Sequence, residues 1–376
     1  MKLLFFTGDF PPMIGGIAVF LESLCLELAK LGHQVVVLSL KKQGCEDFDS
    51  INKERPYTVH RIKTSHIFSS LNPVLHTWRY TKHFTPDVLF LGHVMSTYGL
   101  GAVLVKRLLK VPYVVLSHGA DLGHRNVSKV DAWAMSMILK NASLLLANSR
   151  FTAKLISKTG YKGHIKILNP GVDQGRFCPE VDTTEVRKQY SLNGRRVLLT
   201  VSRLVAKKNV DSVLRALPEV IKHVPNVFYL IAGDGEERVH LEELTDKLEL
   251  RSYVCFLGYI ENSQLPSLYC ASDVFVMPSY VETFGISFLE ANACEVPVIA
   301  GRSEGGVNAV IDQETGLLVD PHNINEIAEA IIRLLADQDL ARNFSENGRR
   351  RVEREFSWEK VGERLEDYLT QVLKRK

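Results

Sequence analysis

The sequence predicts an α/β protein made of two successive units with parallel sheets. Three observations carry that prediction. Short apolar runs bounded by turn residues recur along the chain, among them Leu3–Thr7, Val35–Leu40, Tyr113–Leu116, Val197–Val201, Val227–Ala232 and Val274–Met277, the signature of buried strands. Stretches of helical period alternate with them, and strand–helix alternation builds parallel sheets. The series restarts at Val197 after the polar segment 179–193, and 376 residues suit two ordinary domains better than one.

In the first unit, strand Leu3–Thr7 runs into a turn-rich loop that ends at Gly15 and Gly16. Ile17, Phe20, Leu21, Leu24, Leu28 and Leu31 then recur at helical spacing, and Gly32 follows as a C-terminal stop. Glycines at a helix entry let backbone N–H groups approach an anion. This is no full G-x-G-x-x-G fingerprint, and a tight turn without a ligand explains it equally well. Asp87–Leu91, Ser143–Ala147 and Ile165–Leu168 read as further strands. His118 follows the Tyr113–Leu116 strand within Ser117-His118-Gly119-Ala120-Asp121, placed either to face a cleft or to serve as a satisfied loop histidine. Asn148 and Ser149 read as caps of a helix near Phe151.

The second unit opens with Val197–Val201 and a loop framed by Arg203 and Lys208. Cations at a strand end suit phosphate, Arg as a two-point grip and Lys as a point charge, although surface cations are common. Val227–Ala232 ends in Gly233-Asp234-Gly235, and Val254–Leu257 ends in Gly258-Tyr259-Ile260. Val274–Met277, a loop over 279–283, a helix from Ile286 and a strand over 296–300 make one βαβ unit. Glu282 lies on its loop, Gly285 at the turn and Glu290 early on the helix. Ligands bind at the carboxyl ends of parallel strands, and the helix start near Gly285 and Ile286 offers free N–H groups to an anion. Two carboxylates there point to a substrate with hydroxyls and phosphates. Ile324–Leu335 is amphipathic, and helical sequence runs from Phe356 to Leu373.

Composition narrows the class. Hydrophobic residues make 45% and charged residues 24% of the chain, and a net charge of +3 argues against nucleic acid as a partner. Cys25, Cys45, Cys178, Cys255, Cys270 and Cys294 show no CxxC spacing and read as free thiols of a reducing compartment. The apolar run in MKLLFFTGDFPP is too short for a signal peptide, and no run reaches a membrane span. The expectation is a cytoplasmic protein. The basic clusters Lys106–Lys110 and Arg349–Arg351 read as solvated helix faces, with attraction to an anionic membrane surface as the alternative.

Together these residues resemble the retaining glycosyltransferases of family 4, over nearly the whole chain. The resemblance rests on P-S-x-x-E-x-F-G-x-x-x-L-E-A from Pro278, the D-F-P-P-x-x-G-G loop from Asp9, Ser117-His118-Gly119, Asn169–Asp173, Arg203–Lys208 and Gly233–Gly235, all in the expected order. It implies the GT-B fold: two facing Rossmann-like domains with parallel sheets and an inter-domain cleft. Residues 1–175 would form the acceptor domain and 176–355 the nucleotide-sugar donor domain, with 356–376 a helix packing back on the first. By resemblance, Gly15 and Gly16 bring backbone to the donor diphosphate, which Arg203 and Lys208 neutralise. Gly233 belongs to the same donor site. Ile260 reads the base through its backbone, and Glu290 holds the ribose. Glu282, Gly285 and Ile286 hold the donor sugar, and His118 approaches the transferred sugar.

The implied reaction moves a hexose from a nucleotide diphosphate to an acceptor hydroxyl with retention. GDP-mannose is favoured over UDP-hexoses because the D-F-P-P-x-x-G-G-I loop resembles that of bacterial mannosyltransferases. No metal or other cofactor is expected, since the cations and the helix dipole serve the leaving group. Trp78, Arg79, Tyr80, Lys82 and the Lys106 cluster would suit a lipid-linked glycan acceptor at the inner membrane face. A GT-B epimerase or phosphorylase, or a non-catalytic nucleotide-sugar binder, are the alternatives. A binder would be expected to lose Glu282, His118 or Lys208, and all three are present. The chain departs from the family pattern at Cys294-Glu295, where a glycine is usual, and at Asn308 or Ala309, which replace the acid of Gly-Gly-x-x-Glu after Glu304.

Overall fold

The computed structural model describes residues 1–13, 15–41, 45, 49, 54–62, 72–94, 96–119, 122, 128–303 and 305–375. Ala120, Asp121 and Glu304, named above, lie outside the described residues. The chain divides into two compact units, 1–171 with 358–376, and 172–357.

The first unit is a parallel sheet of seven strands, β1 (Lys2–Thr7), β2 (Gln34–Leu40), β3 (Thr58–Ile62), β4 (Val88–Leu91), β5 (Tyr113–Ser117), β6 (Leu144–Ala147) and β7 (Ile165–Ile167), in the order β3-β2-β1-β4-β5-β6-β7. Its helices are α1 (Gly16–Lys30), α2 (Asn72–Phe84), α3 (Ser96–Leu109), α4 (Lys129–Asn141) and α5 (Arg150–Lys158). Strands β1, β4 and β5 are buried along their whole described length or nearly so, as expected of a sheet covered on both faces. Gly32, at φ 83°, ends α1 by adopting a left-handed backbone.

The second unit is a parallel sheet of β8 (Arg196–Val201), β9 (Val227–Ala232), β10 (Val254–Gly258), β11 (Val274–Met277), β12 (Val298–Gly301) and β13 (Gly316–Val319), ordered β10-β9-β8-β11-β12-β13. Around it lie α6 (Thr184–Gln189), α7 (Val210–His223), α8 (Arg238–Lys247), α9 (Leu265–Cys270), α10 (Ile286–Ala293), α11 (Gly306–Ala309), α12 (Ile324–Ala336) and α13 (Gln338–Glu355). In each sheet the strand order reverses beside the first strand, so the β1/β4 and β8/β11 boundaries are the switch points where ligands bind.

The last helix, α14 (Trp358–Lys374), belongs to the first unit, where Val361, Leu365, Leu369 and Val372 pack with Leu21, Leu24 and Leu28 of α1. Gly362 permits the close approach, since a methyl there would meet Glu27 Cβ at 2.9 Å. The helical sequence expected from Phe356 onward starts two residues later. The Phe356 carbonyl accepts a hydrogen bond from the Val172 N–H (2.8 Å), and Ser357 bridges Val172 in strand fashion. The strand expected from Val296 starts at Val298 because Pro297 has no N–H to give the ladder. The 179–193 segment, read as connecting structure, contains the short helix α6, which buries none of its residues.

Candidate active site

The site in the second unit is built on the switch point between β8 and β11. The chain leaves β8 through a loop whose last turn, Ala206–Lys208, is a 3-10 helix. The chain leaves β11 through Pro278–Phe284. These two loops meet in an ion pair between Lys208 Nζ and Glu282 Oε2. Both side chains are largely withdrawn from solvent, 16% and 11% exposed. The other carboxylate oxygen of Glu282 accepts the Thr283 N–H at 3.0 Å, so both oxygens are held. Arg203, on the same loop, is exposed and its guanidinium has no partner among the described residues. It is a cation left available at a strand end.

Gly285 follows at φ 87°, a left-handed backbone that directs the chain into α10. A methyl there would fall 2.5 Å from Phe288 Cδ2 and 3.2 Å from Glu282 Cγ, so glycine is needed for space as well as conformation. The first turn of α10 carries no acid, which leaves the positive dipole end at Ile286 uncompensated. Ser287 Oγ donates to the Val201 carbonyl at 3.2 Å and ties this turn to the end of β8. Gly305 lies behind the loop: a methyl there would overlap the Glu282 carbonyl.

Glu290 sits on α10, one turn beyond Ile286. Tyr269, fully buried on α9, donates its hydroxyl to Glu290 Oε2 at 2.8 Å. Burial raises the Glu290 carboxyl above its ordinary value, against the Tyr269 hydrogen bond and the nearby Arg176 charge, which lower it. Such a carboxylate gains from any further donor, and sugar hydroxyls are donors. Gly233, at φ 135°, lets β9 pass against the β8 loop, where a methyl would overlap the Ser202 carbonyl; its N–H donates to Gly258 O at 2.7 Å. Ile260 lies just past β10, half-buried against the apolar core on that face.

In the first unit, Gly15 stands as N-cap of α1 with φ 154° and Gly16 as its first residue, both exposed. His118 lies just past β5, 4% exposed, with Nε2 2.9 Å from the Gly92 carbonyl and its ring edge-on to Phe20 of α1 at 5.4 Å. His118 and the start of α1 therefore occupy the same end of this sheet.

The Arg349–Arg351 cluster differs from the solvated face expected of it, and the Lys106–Lys110 cluster departs from it only at Lys106. Arg349 donates to the Phe177 and Ala293 carbonyls at 3.0 and 2.5 Å, and Arg351 to Ala309 and Asn308 at 2.6 and 3.0 Å. Those two guanidiniums lock α13 onto the ends of other elements; only Arg350 of the three is solvated. Lys106 donates to Asn141 O at 2.7 Å, while Arg107 and Lys110 stay exposed. The departure at Cys294-Glu295 also has a physical form. Glu295 adopts φ 54°, a conformation that glycine takes without cost and that a non-glycine residue takes at about 1–2 kcal/mol. Two site residues had no role in the sequence reading. The one signal that could have marked Tyr269 is its place inside the apolar run of α9, because a buried hydroxyl needs a partner. The other is Asn209, which directly follows Lys208 and is 1% exposed.

Two parallel α/β units, with paired and free cations, two carboxylates and a helix N-terminus at one switch point, are the organisation of a GT-B glycosyltransferase. Residues 14–176 match Glycosyltransferase Family 4 and residues 182–351 match Glycosyl transferases group 1. The chain is 32% identical over 377 residues, 98% of each chain, to the GDP-mannose-dependent alpha-(1-6)-phosphatidylinositol monomannoside mannosyltransferase of Mycolicibacterium smegmatis. The chain belongs to glycosyltransferase family 4. Among solved structures, sucrose-phosphate synthase from Thermosynechococcus elongatus superposes with a TM-score of 0.84 at 25% identity, covering 100% of both chains. The Anabaena protein HepE, solved with UDP and glucose, gives 0.82 at 21% identity over 99% of this chain and 100% of its own.

Proposed function

We propose that this glycosyltransferase moves mannose from GDP-mannose to a hydroxyl of a lipid-linked glycan, such as a phosphatidylinositol mannoside, with retention and without a metal ion. The observation that carries the reading is the Lys208–Glu282 pair at the β8/β11 switch point, beside the free Arg203 and the start of α10. The similarity to the mycobacterial mannosyltransferase supports the choice of donor.

In this reading Arg203 and Lys208 neutralise the diphosphate, which gains charge as it leaves. Glu282 orients the hexose with the backbone of Gly285 and Ile286, and Glu290 accepts from the ribose. Gly233 and Ile260 flank the nucleoside, and Gly15, Gly16 and His118 keep the donor-side roles that the family resemblance implies. The acceptor oxygen attacks C1 on the face from which the diphosphate departs. The C1–O bond to phosphate breaks, and the acceptor proton passes to a leaving phosphate oxygen. Glu282, held by Lys208 and the Thr283 N–H, serves as an orienting group in this scheme and not as a nucleophile.

A membrane surface as partner is supported by α2, α3 and α4, which pack side by side. Their outward stripes expose Leu75, Leu104, Leu108, Val130 and Trp133 together with Arg79, Lys82, Arg107, Lys129 and Lys140. Asp131 is the one acid in the three helices. Apolar and basic side chains with a single acid among them suit an anionic leaflet, where the enzyme would sit peripherally on the cytoplasmic side. No helix among the described residues is long and apolar enough to cross a membrane.

The reading is tested by nucleotide release in excess EDTA. GDP should appear from GDP-mannose only when a glycolipid acceptor is added, and in equal amount to the glycoside. GDP release without glycoside, or a strict need for a divalent ion, would overturn it.

A further inference from the structure

Asn209 occupies the N-cap position of α7 yet does not cap it. An asparagine there ordinarily keeps an extended backbone and accepts a helix N–H. Here the backbone is left-handed (φ 59°, ψ 37°) and the side chain accepts none of the helix N–H groups. Its polar atoms are engaged elsewhere. Nδ2 donates to the Pro278 carbonyl at 2.9 Å and the Pro321 carbonyl at 2.7 Å, and Oδ1 accepts from Ser212 Oγ at 2.6 Å. The residue is 1% exposed, so both amide hydrogens are used where no water replaces them.

The two carbonyls belong to the loops leaving β11 and β13, while Asn209 itself ends the loop leaving β8. One side chain therefore joins three strand ends of the second sheet. Two other contacts run between the same loops: the Tyr280 N–H donates to the Lys207 carbonyl at 3.0 Å, and the Tyr280 ring lies 4.7 Å from that of His322. Lys208 directly precedes Asn209, and Glu282 stands four residues after Pro278.

We propose that Asn209 is a positioning residue for sugar transfer. By clamping the 202–209 loop to the Pro278 loop, it sets the separation and approach of the Lys208 ammonium and the Glu282 carboxylate. A lysine side chain has four flexible bonds and does not fix its own charge; an anchor at the next residue does. The proposal rests on the reading of Lys208 and Glu282 as donor-site residues, and deepens it.

The test has an arm that needs no turnover. Trace acetylation followed by mass spectrometry reports the exposure of Lys208. Asn209→Gly keeps the left-handed backbone and removes the clamp. Lys208 in that variant should label at least fivefold faster than in the parent protein, approaching its rate in Glu282→Ala. Ser212→Ala, which leaves both donated hydrogen bonds, should label at the parent rate. With GDP-mannose and acceptor, Asn209→Gly should lose at least tenfold in kcat while GDP affinity falls no more than about threefold. Should the glycine variant not fold, Asn209→Asp, which also lacks the two donors, replaces it. Lys208 labelling unchanged in the folded variant overturns the proposal, whatever the donor proves to be. A parent protein that transfers no hexose defeats the functional reading alone, because labelling still decides whether Asn209 places Lys208.

Discussion

Lys208 and Glu282 form an ion pair across the ends of neighbouring strands β8 and β11, with both side chains largely withdrawn from solvent. Each holds the other's charge in a place where an isolated charge would be costly. The pair is thus set before any ligand arrives, which is what electrostatic stabilisation of a departing diphosphate requires.

Lys208→Met and Glu282→Gln keep side-chain bulk and remove one charge each. Turnover should fall about 100-fold in either variant, the scale of removing one stabilising donor from a reacting centre. Steady-state kinetics with GDP-mannose checks this. A loss confined to KM would place the pair in ground-state binding only.

Glu290 gives a prediction in pH. Its folded-state pKa is raised by burial, so between the ordinary carboxylate value of 4.5 and that raised value the folded chain holds a proton that the unfolded chain has released. Stability of the parent protein therefore falls, relative to Glu290→Gln, as pH rises through this window, and the difference levels off above it. Tyr269→Phe removes a bond to the carboxylate and should carry the window to higher pH. Thermal unfolding of the three proteins from pH 4 upward is the measurement, and Glu290→Gln should also bind GDP less tightly.

Gly305→Ala places a methyl against the Glu282 carbonyl, a backbone atom that cannot swing away. Overpacking of this kind costs about 1–3 kcal/mol. Because the displaced segment carries Glu282, turnover should fall further than stability does. Comparing the melting temperature with kcat separates the two effects.

Much of the fold was legible because buried parallel strands write themselves as unbroken apolar runs, as in Val274–Met277 and Tyr113–Leu116. Strand β3 escaped because it is an edge strand: Thr58, Val59, His60 and Arg61 are exposed or half-buried, leaving no apolar run to see. Helix α13 showed only as a basic helix face at Arg349–Arg351, for a similar reason. Its 18 residues are rich in charge, and its place is fixed by Arg349 and Arg351 on carbonyls far away in sequence. The strand-to-helix turn that carries Glu282, Gly285 and Glu290 was legible from its apolar pattern and its glycine. The partners that hold them were not. Nothing near Tyr269 announces a carboxylate 21 residues on, and nothing near Asn209 announces Pro321, 112 residues on.

The basic and apolar face of α2, α3 and α4 should bind vesicles containing anionic lipid and release them at high salt. Each cation near such a surface contributes about 1 kcal/mol. Changing Arg107, Lys129 and Lys140 together to Gln should therefore weaken cosedimentation by roughly 100-fold, since 1.4 kcal/mol is tenfold. Binding that ignores both salt and these substitutions would exclude this face.

The central claim is retaining mannosyl transfer at the β8/β11 switch point, and the anomeric configuration of the product tests it most directly. With GDP-α-mannose, a glycolipid acceptor and EDTA, nuclear magnetic resonance of the purified product should show a new α-mannosidic linkage. A β-linkage, or no mannoside at all under conditions where the protein binds GDP, would contradict the account.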